Sequence, residues 1–170
     1  MGDPKKNRRK YSKPRNKWQK ERIEKELTLL GKYGLRNKKE IWILQTMLSK
    51  FRGRARELLS LSEEEMELGI KELSGRLHKM GLLPENAKID DILRLTIEDI
   101  LERRLQTMVF NLGLATTIYH ARQLITHGHI SIGGRRTTSP GHLCSRIEEK
   151  NINYSPNSSY TNPDHPMRNV

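Results

Sequence analysis

The sequence predicts an α+β fold: a helical N-terminal region followed by a small module of two helices packed on a short β-hairpin or sheet. Three observations carry that class. In the first half, apolar residues recur every three or four positions behind polar capping signals, as in amphipathic helices. In the second half, Ile130 and Ile132 alternate as in a half-buried strand and run into Gly133-Gly134, a pair suited to a two-residue hairpin turn. The length of 170 residues allows one ordinary domain or two small ones, with cores too modest for a deep catalytic cleft.

From Gly2 to Lys20 the chain holds nine basic residues, Pro4, Pro14 and almost nothing to bury, so this stretch reads as an arm without a core of its own. Asn37-Lys38-Lys39-Glu40 has the form of a capping box. It opens a helix whose Ile41, Leu44, Leu48, Phe51, Ala55 and Leu58 make one stripe, with Lys39, Trp42 and Lys50 turned away from it. Ser62-Glu63-Glu64-Glu65 forms a second box ahead of Met66, Ile70, Leu73, Leu77 and Met80, with Gly81 at the end, and the two stripes are expected to pair. The three glutamates complement the positive end of the helix dipole. Leu82 to Ile92, with Pro84 and Asp90-Asp91, reads as a connection.

Thr96 can cap a third helix that runs through Ile97, Ile100, Leu101, Leu105, Met108, Val109 and Leu112 to a stop at Gly113, carrying Arg103 and Arg104 outward. After a short loop, Thr117 is the candidate N-cap of a fourth helix ended by Gly128. The hairpin returns through Arg135 and Arg136, and Leu143, Ile147 and Ile152 suggest one or two further strands. The expected organisation is a basic RNA-binding extension over 1–35, a helical domain over 36–101, the helix-and-hairpin module over 102–155 and a flexible tail over 156–170.

Lysine and arginine outnumber aspartate and glutamate by 32 to 20, for a net charge of +12, and this favours a polyanionic partner. The spread is uneven: nineteen basic against six acidic residues over 1–60, five against ten over 61–101, and seven against three over 102–150. Basic flanks enclosing an acidic middle fit folded RNA. Electrostatic capture is assigned to Lys5, Lys6, Arg8, Arg9, Lys10, Lys13, Arg15 and Lys17 of the arm and to Lys39 and Lys50, with Tyr11 and Trp18 available to stack on bases or ribose. Orientation is assigned to Arg103, Arg104, Arg122, Arg135 and Arg136, whose guanidinium groups make planar, multi-donor phosphate contacts. Thr117, His120, Gln123, His127 and His129 can add neutral or imidazole hydrogen bonds.

Other classes find little support. No run approaches the roughly 20 apolar residues of a membrane helix, and the Lys-rich start lacks the apolar core of a secretory signal, so a cytoplasmic protein without a membrane partner is expected. Met1-Gly2 does not make a myristoylation motif, because the sixth position is Lys6. The single cysteine, Cys144, rules out an internal disulfide. His127, His129, His142 and Cys144 have ligand chemistry, but a helix end and a strand start need not aim two imidazoles at one ion, so no metal and no cofactor is expected. Catalysis has no carrier: Asp90-Asp91 are neighbours in a linker, with no nucleophile, base or phosphate loop around them.

The spacing Thr117-x-x-x-Ala121-Arg122-x-Leu124-Ile125-x-x-Gly128-x-Ile130-x-Ile132-x-Gly134 resembles the small RNA-binding module first described in the fourth small-subunit ribosomal protein. Tyr33 to Trp42, Ala55 to Leu59, Gly81 to Asn86 and Thr96 to Gln106 extend the likeness to the archaeal type of that protein family, over nearly the whole chain. The resemblance implies a non-enzymatic constituent of the small subunit. It implies binding to small-subunit ribosomal RNA early in assembly, in the 5′ domain at a multi-helix junction. It also implies a place near the path by which messenger RNA (mRNA) enters, beside the fifth small-subunit protein, with the third as a second candidate neighbour. Bacterial members often carry an N-terminal cysteine cluster for metal, which this chain lacks, and its Gly133-Gly134 stands where relatives often have Asn-Gly. The alternatives are a free-standing RNA-binding factor of ribosome recycling or stress, which would lack the arm and helical pair, and an RNA-modifying enzyme, which would need a catalytic domain that residues 1–100 have no room for. A protein-protein adaptor using the acidic middle is the third.

Overall fold

A computed structural model of the protein describes residues 9–162, so Lys5, Lys6 and Arg8 lie outside the described residues. The arm gives way at Lys20 to α1 (Lys20–Lys32), a helix within the stretch read from sequence as an extension. Leu29 and Leu30 of α1, with the buried Tyr33 and Leu35 after it, join the first core. Helix α2 (Lys38–Leu58) starts as expected, with Asn37 Oδ1 accepting from Glu40 N at 3.3 Å, and all six residues of its stripe are buried. The box is only half closed, because the Glu40 carboxylate is taken by distant arginines. Helix α3 (Glu63–Lys79) packs Leu73 and Leu77 into the same core, though Ser62 makes no side-chain cap bond.

Two expectations are corrected in the middle of the chain. The connection after Gly81 contains a short helix, α4 (Ile89–Arg94), so Asp90 and Asp91 sit in a helical first turn, where Asp91 accepts from Lys88 N at 3.0 Å. The single third helix is two: α5 (Ile97–Glu102), closed by a reciprocal Thr96–Asp99 capping box, and α6 (Leu105–Asn111). The break at Arg103-Arg104 has a long-range cause. Backbone there pairs with the segment after the hairpin, Leu105 N donating to His142 O and Cys144 N to Arg103 O, both at 2.8 Å. Among the described residues, the Arg104–Leu143 bridge is thus the only strand-like pairing Leu143 makes.

Helix α7 (Ile118–His127) packs on α6 and ends at Gly128, whose φ of +79° is the left-handed conformation anticipated for its cap. Strands β1 (Ile130–Ile132), β2 (Arg135–Arg136) and β3 (Ile152–Tyr154) form an antiparallel sheet in the order β2-β1-β3. Gly133 and Gly134 both have positive φ, +56° and +77°, as a primed two-residue turn requires. Ile147 is not in a strand: it lies 77% exposed in the one-turn helix α8 (Arg146–Glu149), started by a Ser145–Glu148 capping box. Past Pro156, Ser159–Thr161 make a 3-10 turn that rests Tyr160 on the module.

Two apolar cores result, one from Tyr33 to Leu101 and the other from Leu105 to Ile152, meeting at the Arg103-Arg104 break. A buried polar seam joins them. Gln106, 1% exposed, donates from Nε2 to the carbonyls of Gly34 and Ile118, each at 3.0 Å, and its Oε1 accepts from Arg122 at 3.2 Å. Gly34 has φ +56°, and a Cβ there would stand 2.9 Å from both Gln106 Nε2 and Ile118 Cγ2. Gly34→Ala therefore combines backbone strain with crowding of buried atoms, and is expected to lower the unfolding free energy by about 2 kcal/mol in urea denaturation. A loss within about 0.5 kcal/mol would show that the seam relaxes freely.

Candidate nucleic-acid interface

Among the described residues, two sets of cations matter for a polyanion: those held by carboxylates inside the protein and those exposed without such a partner. Glu40 organises the first. Its carboxylate accepts from Arg104 at 2.5 Å and from Arg122 at 2.9 Å, with the Arg104 side chain only 4% exposed. Burial pushes the Glu40 carboxyl upward, but hydrogen bonds and charge from Arg122 and Arg104 outweigh it and hold the group below the usual carboxylate range. Arg103 is likewise drawn inward, to Glu149 at 2.8 Å and the Cys144 carbonyl at 3.2 Å. The expectation that Arg103 and Arg104 point outward is thus corrected, and Arg122 spans the seam with three acceptors instead of standing on an open face.

The second set is concentrated along the arm and α2. Residues after Arg9 lie across α2, where Ser12 N donates to Thr46 Oγ1 at 3.0 Å and the Tyr11 ring lies 6.0 Å from Trp42. Tyr11 also carries Arg9 at 4.6 Å and Lys39 at 5.5 Å over its ring, so it anchors the arm by cation–π contact and is not a free stacking surface. Trp18 is free, 90% exposed. Arg9, Lys10 and Lys50 converge with Arg76 and with Arg54, itself paired to Glu57 at 3.3 Å, around a cleft of about 660 Å³ between α2 and α3, floored by Met47 and Phe51. Lys13, Lys17 and Trp18 meet at a second recess, and Arg15 is exposed nearby in sequence.

In the module, Thr117 serves as the cap, accepting from His120 N at 3.0 Å, and His120 Nδ1 faces the Thr116 hydroxyl at 3.2 Å. Gln123 is exposed. His127, His129 and Arg136 share a recess of about 310 Å³, where Arg136 donates to the His127 carbonyl at 3.3 Å. Arg135 is exposed on the outer strand. Cys144 is 1% exposed, its thiol pushed up to about 12 chiefly by burial, and His142 pairs with Glu148 at 3.2 Å. Among the described residues, no three His, Cys, Asp or Glu gather into a ligand set, and no helix is long and apolar enough to cross a membrane.

Arg54 and Arg76 are cleft residues absent from the sequence assignment. Arg54 had a signal, since Lys50 and Arg54 are four apart on one helix face. Arg76 had none, because only the packing of α3 on α2 brings it there.

Residues 103–148 match the S4 domain model, which takes in the α6–α7 pair and the hairpin. The chain is 58% identical over 160 residues to "Small ribosomal subunit protein uS4" of Ignicoccus hospitalis, covering 94% of this chain and 96% of that protein. The chain belongs to the uS4 family. Its uS4 relatives from Hyperthermus butylicus and Saccharolobus solfataricus are 56% and 57% identical, again over 94% of this chain, and cover 91% and 89% of theirs. The likeness therefore includes the arm and helices α1 to α5, not the module alone. Membership of uS4 carries a structural role in the cytoplasmic small ribosomal subunit and no catalytic activity, as the resemblance in sequence implied.

Proposed function

We propose that this uS4 protein is a primary binder of small-subunit ribosomal RNA, contacting the 5′ domain at a multi-helix junction during assembly and remaining near the path of incoming mRNA, beside the fifth small-subunit protein and with the third as a second candidate neighbour. The observation that carries this reading is the segregation of charge. Lys10, Lys13, Arg15, Lys17, Lys39, Lys50, Arg135 and Arg136 have no carboxylate partner among the described residues, whereas Arg103, Arg104 and Arg122 are consumed in holding the two cores together. Free cations supply the salt-dependent grip on phosphate, and the internal ones fix the geometry that presents them. Lys5, Lys6 and Arg8 extend the basic arm in sequence.

The test is the affinity of the full chain for a 5′-domain ribosomal RNA fragment against an equal mass of transfer RNA, across salt concentrations. Preference for the ribosomal fragment that persists as salt rises is the expected result. Equal affinities that vanish together would reduce the protein to a generic polycation and sink the proposal.

A further inference from the structure

A carboxylate with almost no access to water lies in the most basic part of the molecule. Glu26 of α1 is 2% exposed and is met by Arg22 at 2.6 Å, by the indole Nε1 of Trp42 at 3.0 Å and by Lys38 at 3.4 Å. Burial raises its carboxyl, while the bonds from Trp42 and Arg22 outweigh that and keep it below the usual range. Arg22 passes the constraint on: its other nitrogen donates to the carbonyls of Asn16 and Lys17, both at 2.9 Å. One buried acid thus fixes the indole of Trp42 and, through Arg22, the turn that carries Trp18.

Between the two tryptophans lies a recess of about 380 Å³, within the size range of small-ligand sites. Lys13, Lys17, Arg22 and Lys38 line it too. Arg22 and Lys38 are engaged by Glu26, but the ammonium groups of Lys13 and Lys17 are exposed and have no carboxylate partner among the described residues. An exposed indole beside these cations suits an occupant that combines an aromatic face with negative charge, and the cations disfavour a cationic one. The neighbouring arm residues 1–8 are themselves basic and do not fit.

We propose that this recess is a nucleotide slot, in which one unpaired base of RNA stacks on Trp18 and Trp42 while its flanking phosphates lie on Lys13 and Lys17. The slot rests on the RNA-binding reading above and adds to it a single-stranded contact. Stacking on an indole face tolerates any base, so the slot recognises an unstacked nucleotide and not a sequence. Glu26 is a positioning residue, acting through Trp42 and Arg22.

The chain contains two tryptophans and both line the slot, so intrinsic tryptophan fluorescence reports on the slot and its immediate surroundings. The full-length protein is titrated with a uridylate tetranucleotide, with an abasic tetranucleotide of equal charge, and with a tetraglutamate peptide. The expected result is saturable quenching by the base-bearing oligonucleotide only, with Trp18→Ala weakening it on the order of tenfold. Trp18 supports no core, so this variant keeps its fold. Equal responses to the abasic chain or the peptide would reduce the slot to a charged surface and overturn it. If the tetranucleotide leaves the fluorescence unchanged while the 5′-domain fragment still binds in a filter assay, the slot falls and the RNA-binding reading stands. If neither binds, both fall.

Discussion

Replacing Glu40 with alanine is expected to lower the unfolding free energy by about 3 kcal/mol, read from urea denaturation at neutral pH. The magnitude comes from what is left behind. Arg104 is 4% exposed, and without Glu40 its charge stays buried with no carboxylate to meet it, while Arg122 keeps only the carbonyl of Gly34 and the amide of Gln106. The two cores also lose their shared anchor, so the unfolding transition is expected to lose cooperativity between the helical part and the module. The pH dependence has a definite sign. Because the folded carboxyl lies below its ordinary value of 4.5, its contribution is whole above that value and disappears as the pH falls through the lower folded value. The gap between the wild-type and Glu40→Ala stabilities therefore narrows on acidification below 4.5. A loss under 1 kcal/mol, or a gap that widens in acid, would show that the arginines find other compensation.

The second large effect separates two kinds of arginine that look alike in sequence. Arg135→Ala/Arg136→Ala removes exposed hairpin charges, and binding to the 5′-domain RNA fragment is expected to weaken, with the log-log salt slope flattened by about one unit per lost phosphate contact and little change in stability. Arg122→Ala is expected to do the reverse: a stability loss of about 2 kcal/mol, because Glu40 Oε1 keeps only the Arg36 N–H at 3.4 Å and Gln106 Oε1 loses its donor, with the slope unchanged. If Arg122→Ala flattens the slope as much as the hairpin pair does in protein that remains folded, Arg122 belongs to the RNA surface despite its internal bonds.

What could be read from sequence was what local chemistry determines. Asn37, Thr96 and Thr117 cap because a side-chain oxygen reaches a backbone N–H three residues on, and Gly128, Gly133 and Gly134 sit where positive φ is required. The α2 stripe was legible for the same reason. The break between α5 and α6 was not, since helical periodicity continues through Arg103-Arg104 and is overruled by pairing with residues some forty positions later. Nor was the fate of the arginines, because Glu40 reads as a capping residue until Arg104 and Arg122 are brought beside it. Ile147 lies in a helix and not a strand because Ser145, three residues before Glu148, is a helix-start signal that outweighs one apolar residue in a short segment. Helix α1 was hidden by its composition: it has no side-chain cap, its buried residue is a glutamate, and Leu27 faces solvent.

The separation of Glu40 from its partners bears on how the chain comes to be folded as it is made. Arg104 and Arg122 lie 64 and 82 residues downstream, so the nascent helical layer carries its acid without a counter-charge until most of the chain has been synthesised. Helices α2 and α3 can associate through apolar contact before either guanidinium group is made, whereas the Glu40 contact between the halves needs residues of both. The Glu40 contact is thus an electrostatic latch between the two halves, and a truncated product that stops short of Arg122 lacks one of the two guanidinium groups that close it.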